Sequence, residues 1–215
     1  RIIYDWPSPW SGLAPAPYGL TKAQALLGHT ITVFCGKWPR AGAVEQITGV
    51  KIYSFYREFA RGFMLLTTAP IMTLRFLLWR LFNKVDIYHV HGQFGLYFYI
   101  YKIVFGFLDK TPVVAHVHIC FKARTLQMQK DAKKVSRLAK YIDWPMSEFA
   151  QFLSTKVASA FVFVSDNVKN EFMSLYKVAP EKCYVVESGV DSSLFKEPST
   201  EEKVNFRKVL NVSES

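Results

Sequence analysis

Seven short apolar segments recur along the chain, separated by turns or by stretches long enough to form a helix. They are rich in the β-branched and aromatic residues that favour strands, and they span residues 1–5, 30–35, 50–55, 86–90, 111–119, 159–164 and 183–187. Near-continuous apolar strands that alternate with helices indicate a parallel sheet covered on both faces. We therefore predict an α/β fold with a doubly wound, Rossmann-like parallel sheet, in which ligands bind beyond the carboxyl ends of the strands.

The positive charge of the chain is concentrated in two segments. The 215 residues carry a net charge of +10. Residues 57–84 hold five basic side chains and one acidic side chain. Residues 121–140 hold seven basic side chains and one acidic side chain. Clustered positive charge suits an anionic partner such as phosphate groups or lipid head groups. No motif that reads nucleic acid accompanies it, so we expect no nucleic-acid partner.

Both basic segments leave two structural interpretations open. Residues 57–82 are strongly apolar but are interrupted by Pro70, Arg75 and Arg80, which suits either a helix in a membrane interface or a core-packing helix pair whose arginines reach water. Residues 121–142 have an apolar stripe at helical spacing beside many lysines. They predict a basic amphipathic helix that either binds an anionic membrane surface or covers the edge of the sheet in solvent.

Three scattered cysteines, Cys35, Cys120 and Cys183, are too few for a disulfide framework. We expect reduced thiols in a cytoplasmic protein. The segments 57–84 and 121–142 would place it peripherally on the cytoplasmic face of a membrane. Residues 96–108 are shorter and follow a strand, and we interpret them as a buried crossover helix.

Four of the five histidines occur as two pairs, His89 with His91 and His116 with His118. Residues two apart on a strand share a face, so the four imidazoles meet if the two strands are neighbours. A metal site is one option, but no acidic or cysteine ligand has a recognisable metal spacing, and we expect no metal. We expect His89 and His116 to be hydrogen-bonded inside, and His91 and His118 to emerge at the strand ends, where an imidazole can bind a hydroxyl or a phosphate.

The first loop, WPSPWSGLAPAPYG, lies between a strand and a helix. Backbone without a side chain at Gly12 can approach an anion, and the N-terminus of the following helix favours negative charge. The loop has no GxGxxG fingerprint, which argues against a dinucleotide cofactor. No GxxxxGK[ST] element is present, which excludes the P-loop nucleotide hydrolases.

Several motifs in order resemble the N-terminal domain of retaining glycosyltransferases of family 4, which have the GT-B fold. They are LLGHTITVFCG, DIYHVHGQFG, PVVAHVHICF, SAFVFVSDNVKNEF and VVESGVDSSLF. Ser188 stands where that family usually has asparagine, whereas Asp191 and Phe195 match. The resemblance implies that residues 1–195 form a Rossmann-like acceptor-binding domain. Residues 196–215 would then be a linker and a helix leading towards a C-terminal donor-binding domain that is absent from this sequence.

The resemblance also implies an activity, the transfer of a hexose from a nucleotide-sugar to a glycan or lipid acceptor with retention. The nucleotide-sugar is a substrate, and no cofactor or metal is implied. His118 matches the strand-end histidine near the reacting sugar and is the implied catalytic residue. The implied donor-phosphate contacts are Gly12 and Leu13, and location adds His91, Gln93 and Arg124 as acceptor contacts.

Without a donor-binding domain, the chain alone is expected to be inactive. The alternative is a non-catalytic sugar-binding, nucleotide-binding or scaffold module on the same fold.

Overall fold

The computed structural model describes residues 1–6, 15–37, 46–56, 64–130, 137–189 and 197–210. Within these ranges seven strands form one sheet in the order β3-β2-β1-β4-β5-β6-β7, and every pairing is parallel. The strands are β1 (Ile2–Asp5), β2 (Ile31–Lys37), β3 (Val50–Tyr56), β4 (Tyr88–His91), β5 (Val113–Val117), β6 (Ala160–Phe163) and β7 (Cys183–Val185). Each lies at one of the seven predicted segments, which confirms the α/β, Rossmann-like fold class.

Helices connect the strands and lie on both faces of the sheet. They are α1 (Pro15–Leu26), α2 (Met64–Arg80), α3 (Leu96–Phe105), α4 (Phe121–Lys130), α5 (Trp144–Val157), α6 (Asp166–Tyr176) and α7 (Thr200–Leu210). The direction of the strand order reverses between β1 and β4. In open parallel sheets the ligand crevice lies at such a reversal, beyond the carboxyl ends of the strands.

Alternation along the strands divides the core between the two faces. Ile2, Phe34 and Val90 point to the face that α2, α3 and α5 cover. The intervening residues Ile3 and Cys35 point to the opposite face, where Tyr18 and Ala25 of α1 pack against them. A strand has a side-chain period of two, so this pattern fixes which residues share a face with the histidines of β4.

The apolar segment from residue 57 contributes a core-packing helix. Helix α2 buries Leu65, Ala69, Met72 and Phe76, so residues 64–80 pack as the core-packing alternative requires, whereas residues 57–63 lie outside the described residues. Within the described part of the chain, no helix has the length and apolar character needed to cross a membrane.

Helix α3 is only half buried, which corrects the expectation of a buried crossover helix. It buries Phe98 and Tyr99 against the sheet, but Ile103 and Val104 on its other side are about half exposed. The reason is that α3 has the sheet on one side and, among the described residues, no layer beyond it.

The helix expected within residues 196–215 forms as α7, and a capping box lies at its N-terminus. The backbone N–H of Glu202 donates to Ser199 Oγ at 3.2 Å, and the backbone N–H of Ser199 donates to Glu202 Oε2 at 2.8 Å. Reciprocal bonds of this kind satisfy amide groups that an α-helix leaves open at its first turn. Residues 190–196, which include Asp191 and Phe195, lie outside the described residues.

A buried carboxylate joins α2, α3 and β4 at the amino end of the sheet. Asp109 accepts hydrogen bonds from Tyr88 Oη at 2.6 Å, Tyr101 Oη at 2.7 Å and the backbone N–H of Thr111 at 3.2 Å. Arg80 Nη2 lies 3.4 Å from it as an ion pair. Burial by itself would raise the pKa of Asp109, but the hydrogen bonds outweigh burial and hold that pKa well below its usual range.

Replacing this carboxylate should destabilise the domain strongly. Asp109→Asn removes the charge that faces Arg80 and puts an amide where two tyrosines and a backbone amide donate. Loss of one partner of a buried pair costs about 3–5 kcal/mol. Urea unfolding at pH 7 should show that the unfolding free energy falls by this amount. Asp86→Asn, at an exposed aspartate, is the matched control and should change the unfolding free energy by less than about 0.5 kcal/mol; equal effects would contradict the role of Asp109.

Candidate functional site

Four imidazoles from β4 and β5 meet on one face of the sheet, towards its carboxyl end. The strands are neighbours, and His91 lies opposite His116 in their register. His89 Nε2 is 3.2 Å from His116 Nδ1, and His91 Nδ1 is 3.1 Å from His118 Nε2. Adjacent rings are stacked with centroids 4.4 to 5.4 Å apart. The approach expected from the two histidine pairs is therefore confirmed. His89 and His116 are hydrogen-bonded as expected, and the partner of each is the other.

Arg1 sets the tautomers of His89 and His116, which we call the inner pair. Arg1 Nη2 lies 3.1 Å from His89 Nδ1, and a guanidinium can only donate. His89 Nδ1 must therefore accept, so in the neutral ring the proton is on Nε2 and donates to His116 Nδ1. His116 then has its own proton on Nε2. The same guanidinium donates to Thr21 Oγ1 and Gln24 Oε1 of α1, and these bonds hold it in place.

Burial keeps all four imidazoles neutral at physiological pH. It lowers the pKa of His116 to about 3 and that of His118 to about 4. The pKa values of His89 and His91 also lie well below 6.5, because of burial first and neighbouring charge second. Burial lowers the pKa of the Arg1 guanidinium to about 10, so it stays charged. Each imidazole thus offers one donor and one acceptor, which suits a sugar hydroxyl, and brings no positive charge to a phosphate.

The expectation that His91 emerges at the strand end is wrong. It is the last residue of β4, yet only 2% of it is exposed. The physical reason is that the rings of His89, His116 and His118 stack around it. Its Nε2 is buried and has no hydrogen-bond partner among the residues that the structure describes. His118, just beyond the end of β5, is partly exposed as expected.

The turn after β4 requires glycine at both ends. The chain leaves His91 through one turn of 3-10 helix, Gly92–Gly95, and enters α3. Gly92 has φ of +58°, in the left-handed region that favours glycine. A Cβ on Gly95 would lie 2.3 Å from Val90 Cγ1, so a side chain there would collide with the core. These constraints hold the partly buried Gln93 directly beyond the strand end.

Sequence reasoning missed two residues that organise the site. The sequence pattern marks Arg1 only as the start of a strand, although alternation puts it on the same face as Ile3 and the histidines. Gln151 of α5 is buried, donates to the backbone oxygen of Ile119 at 2.6 Å and accepts from the backbone N–H of Phe121 at 2.9 Å. It therefore fixes the loop that follows His118, and no local sequence signal marks it.

Of the remaining predicted residues, Arg124 alone lies in the described part of the chain. Arg124 lies in the first turn of α4 and is exposed. Gly12 and Leu13 lie outside the described residues.

Three of the histidines form a group that has the donor atoms for a metal ion. Ring nitrogens of His89, His91 and His116 lie within 4.8 Å of one another, and imidazole nitrogen is a common ligand of Zn²⁺. No carboxylate or thiolate joins this group within the described ranges. Two of its members are already hydrogen-bonded to each other, and the charged Arg1 contacts His89, which disfavours a second cation there.

The neutral cluster makes a prediction about acid stability. A histidine whose folded pKa is lowered contributes stability that is fully present above its unfolded pKa near 6.5 and is lost as pH falls towards the folded value. For His116 the window runs from about 6.5 down to about 3. The unfolding free energy, measured with urea, should therefore fall between pH 6.5 and pH 5.

His116→Gln should make that fall shallower by up to about 1.4 kcal/mol per pH unit. His29→Gln is the matched control because His29 is exposed, and it should retain the slope of the parent chain. Parallel curves for the parent chain and His116→Gln would contradict a neutral, buried His116.

Solved structures of known proteins share this fold. The chain is similar to HepE of Anabaena in complex with UDP-glucose, with a TM-score of 0.57, 14% identity and coverage of 100% of this chain and 50% of that chain. Sucrose-phosphate synthase of Thermosynechococcus elongatus gives a TM-score of 0.64 and 12% identity over 94% of this chain and 48% of that one. A glycosyltransferase of Rickettsia africae gives a TM-score of 0.51 and 16% identity over 100% of this chain and 50% of that one. Such low identities show the fold alone, and the chain spans about half the length of these proteins.

The sequence itself supplies the family. A search of curated proteins finds no matching sequence. The sequence model described as Glycosyltransferase Family 4 matches residues 10–194, which is most of the chain. The sheet corresponds to the N-terminal half of the GT-B chains it resembles. On the strength of that match, the chain belongs to glycosyltransferase family 4.

Proposed function

We propose that this domain is the acceptor-binding half of a glycosyltransferase that moves a hexose from a nucleotide-sugar to a glycan or lipid acceptor with retention. Family membership supports glycosyl transfer. HepE, one of the similar structures, is described with UDP-glucose and with UDP, which supports a nucleotide-sugar donor. The observation that carries the proposal is the neutral His91–His118 pair at the carboxyl ends of β4 and β5.

In this proposal His118 is the catalytic residue and contacts the hexose. A neutral imidazole can hydrogen-bond a sugar hydroxyl of the reacting unit while the diphosphate leaves. His91 is buried, so we assign it a different role from acceptor binding: its hydrogen bond to His118 holds that ring at the strand end. Gln93 and Arg124 remain the proposed acceptor contacts, because both lie just after the carboxyl ends of these strands.

The charge on the departing diphosphate must be stabilised by other groups. Stabilisation of developing charge by fixed donors is usually the largest catalytic effect, and neutral imidazoles contribute little to it. We propose backbone N–H groups at Gly12 and Leu13 for part of this task. A partner domain would supply the rest, which agrees with a chain that spans about half the length of the similar structures.

Binding and transfer measurements test the two-domain proposal. The 215-residue chain should bind a nucleotide-sugar weakly and transfer no sugar by itself, whereas the natural full-length protein should bind it saturably in calorimetric titration. A non-catalytic scaffold would show no saturable binding in the full-length protein. Robust transfer by the 215-residue chain alone would contradict the assignment of donor binding to a second domain.

The role of His118 predicts a selective loss of turnover. In the full-length protein, His118→Ala should lower kcat by about 10²–10³-fold, because one fixed hydrogen-bond donor to the reacting group is lost. Release of nucleoside diphosphate from the nucleotide-sugar measures the rate. His29→Ala removes an exposed histidine and should leave kcat unchanged. A His118→Ala enzyme with the parent kcat would remove His118 from the chemistry.

We also propose that transfer needs no metal ion. The hydrogen bond between His89 and His116 and the neighbouring Arg1 charge support this. Treatment of the full-length protein with EDTA, followed by dialysis, should change the transfer rate by less than about twofold, because a catalytic metal would account for several kcal/mol of barrier lowering. Loss of activity that Mg²⁺, Mn²⁺ or Zn²⁺ restores would show that a metal takes part.

A cytoplasmic location completes the proposal. The three cysteines are buried and form no disulfide, which is the usual state of cysteines in a reducing compartment.

A further inference from the structure

Two loops at the amino end of the sheet each expose a pair of large apolar side chains. One loop joins α2 to β4 and the other joins α3 to β5. Together they form a surface that we call the apolar tip, which comprises Leu81 (75% exposed), Phe82 (87%), Phe107 (71%) and Leu108 (74%). Side chains of this size and exposure are normally scattered singly over a soluble surface, whereas contiguous ones indicate an interaction site.

The backbone presents the tip in a fixed arrangement. Thr111 Oγ1 of the second loop donates to the backbone oxygen of Val85 in the first at 3.3 Å. Arg80 donates to the backbone oxygen of Asn83 at 2.7 Å and pairs with Asp109. The two loops are therefore tied to each other and to the buried carboxylate. The exposed apolar pairs belong to an ordered surface and do not arise from a loose chain.

The apolar surface continues from the tip along α2 and α3. Both helices bury one side in the same core, so their exposed sides point the same way. Leu74 and Leu78 of α2 are 58% and 57% exposed, and Ile103 and Val104 of α3 are 48% and 51% exposed. Neither α2 nor α3 contains an acidic residue. A helix that is apolar on nearly every side needs a partner for its outer face.

The charges beside the tip identify the kind of partner. Each apolar pair is followed two residues later by an exposed lysine, Lys84 in the first loop and Lys110 in the second. Asp109 is buried and engaged with Arg80 and Lys102, which leaves Asp86 as the exposed acid of these two loops. Paired apolar side chains with lysines at their border match the interface of an anionic bilayer, where the apolar groups enter the acyl boundary and the lysines meet the head groups.

We propose that the apolar tip inserts into the interfacial layer of an anionic lipid bilayer and anchors the domain there. This surface overlaps the end of the first membrane segment expected from sequence, 57–84, and adds to it the loop after α3, which no expected segment includes. Segment 121–142 begins beyond the carboxyl end of β5, at the opposite edge of the sheet. The inference goes beyond the proposed function and does not depend on glycosyl transfer.

Vesicle sedimentation tests the tip directly. The 215-residue chain is mixed with vesicles of phosphatidylcholine and phosphatidylglycerol, or of phosphatidylcholine alone, at low and high salt. It should partition onto the mixed vesicles. The double variant Phe82→Ser with Phe107→Ser should lower the partition coefficient by at least about tenfold, because both rings leave water on binding. Lys84→Glu with Lys110→Glu should weaken binding at low salt and have less effect at high salt.

A matched control distinguishes binding by the tip from nonspecific adsorption through exposed apolar side chains. Phe206 and Val209 of α7 are 59% and 80% exposed, and their double substitution by serine should leave partitioning unchanged. Circular dichroism and thermal unfolding confirm that each variant is folded, as expected for exposed positions.

Five results would overturn the proposal, and four of them come from the vesicle assay. These four are absence of binding to the mixed vesicles, unchanged binding by the tip variant, equal loss in the α7 control, and loss confined to Lys122→Glu with Lys130→Glu on α4. A dimer in sedimentation velocity that the tip variant abolishes would instead assign the surface to a second copy of the chain, and would equally overturn it.

Discussion

The parallel register of β4 against β5 is the constraint on which the candidate site depends. It places His91 opposite His116 and His89 opposite Val114, so that histidines two apart on each strand project from one face. A slip of one residue would send one pair to the opposite face, among the core residues under α3 and α5. The register is held by apolar contacts on that other face, where Val90 and Ala115 are fully buried. Core packing on one side of the sheet thus positions polar chemistry on the other.

The four imidazoles of the cluster are uncharged at neutral pH. Four imidazoles within stacking distance cannot all be protonated, and burial beside Arg1 removes the charge from each of them. Arg1 also orders the inner pair by dictating which nitrogen donates. The result is a surface of defined donors and acceptors that suits hydroxyl groups better than phosphate. If the proposed function holds, the cluster would bind the sugar, and cationic or backbone donors outside the cluster would have to bind the diphosphate.

The sheet was predictable because its signal is local, whereas the burial of individual site residues was not. The apolar, β-branched composition of each strand predicts it directly. The two-residue spacing within each histidine pair predicts that its members share a face. Strand β5, Val113–Val117, is shorter than the predicted 111–119. The burial of His91 depends on rings from a different strand, and the role of Arg1 depends on how α1 packs. Neither relation has a trace in the neighbouring sequence.

The two ends of β4 carry opposite chemistry, and this bears on how the domain could sit at a bilayer. Tyr88 at its first residue belongs to the Asp109 network that fixes the apolar tip, and His91 at its last residue belongs to the imidazole cluster. Two strand residues lie between them, and the rise from Tyr88 to His91 is about 10 Å. An anchor at the amino end would therefore direct the carboxyl end, with its crevice, away from the bilayer surface. A bilayer-embedded acceptor would then have to project its reacting group past the sheet, so the proposed anchor favours an acceptor whose reacting group extends well beyond the head groups.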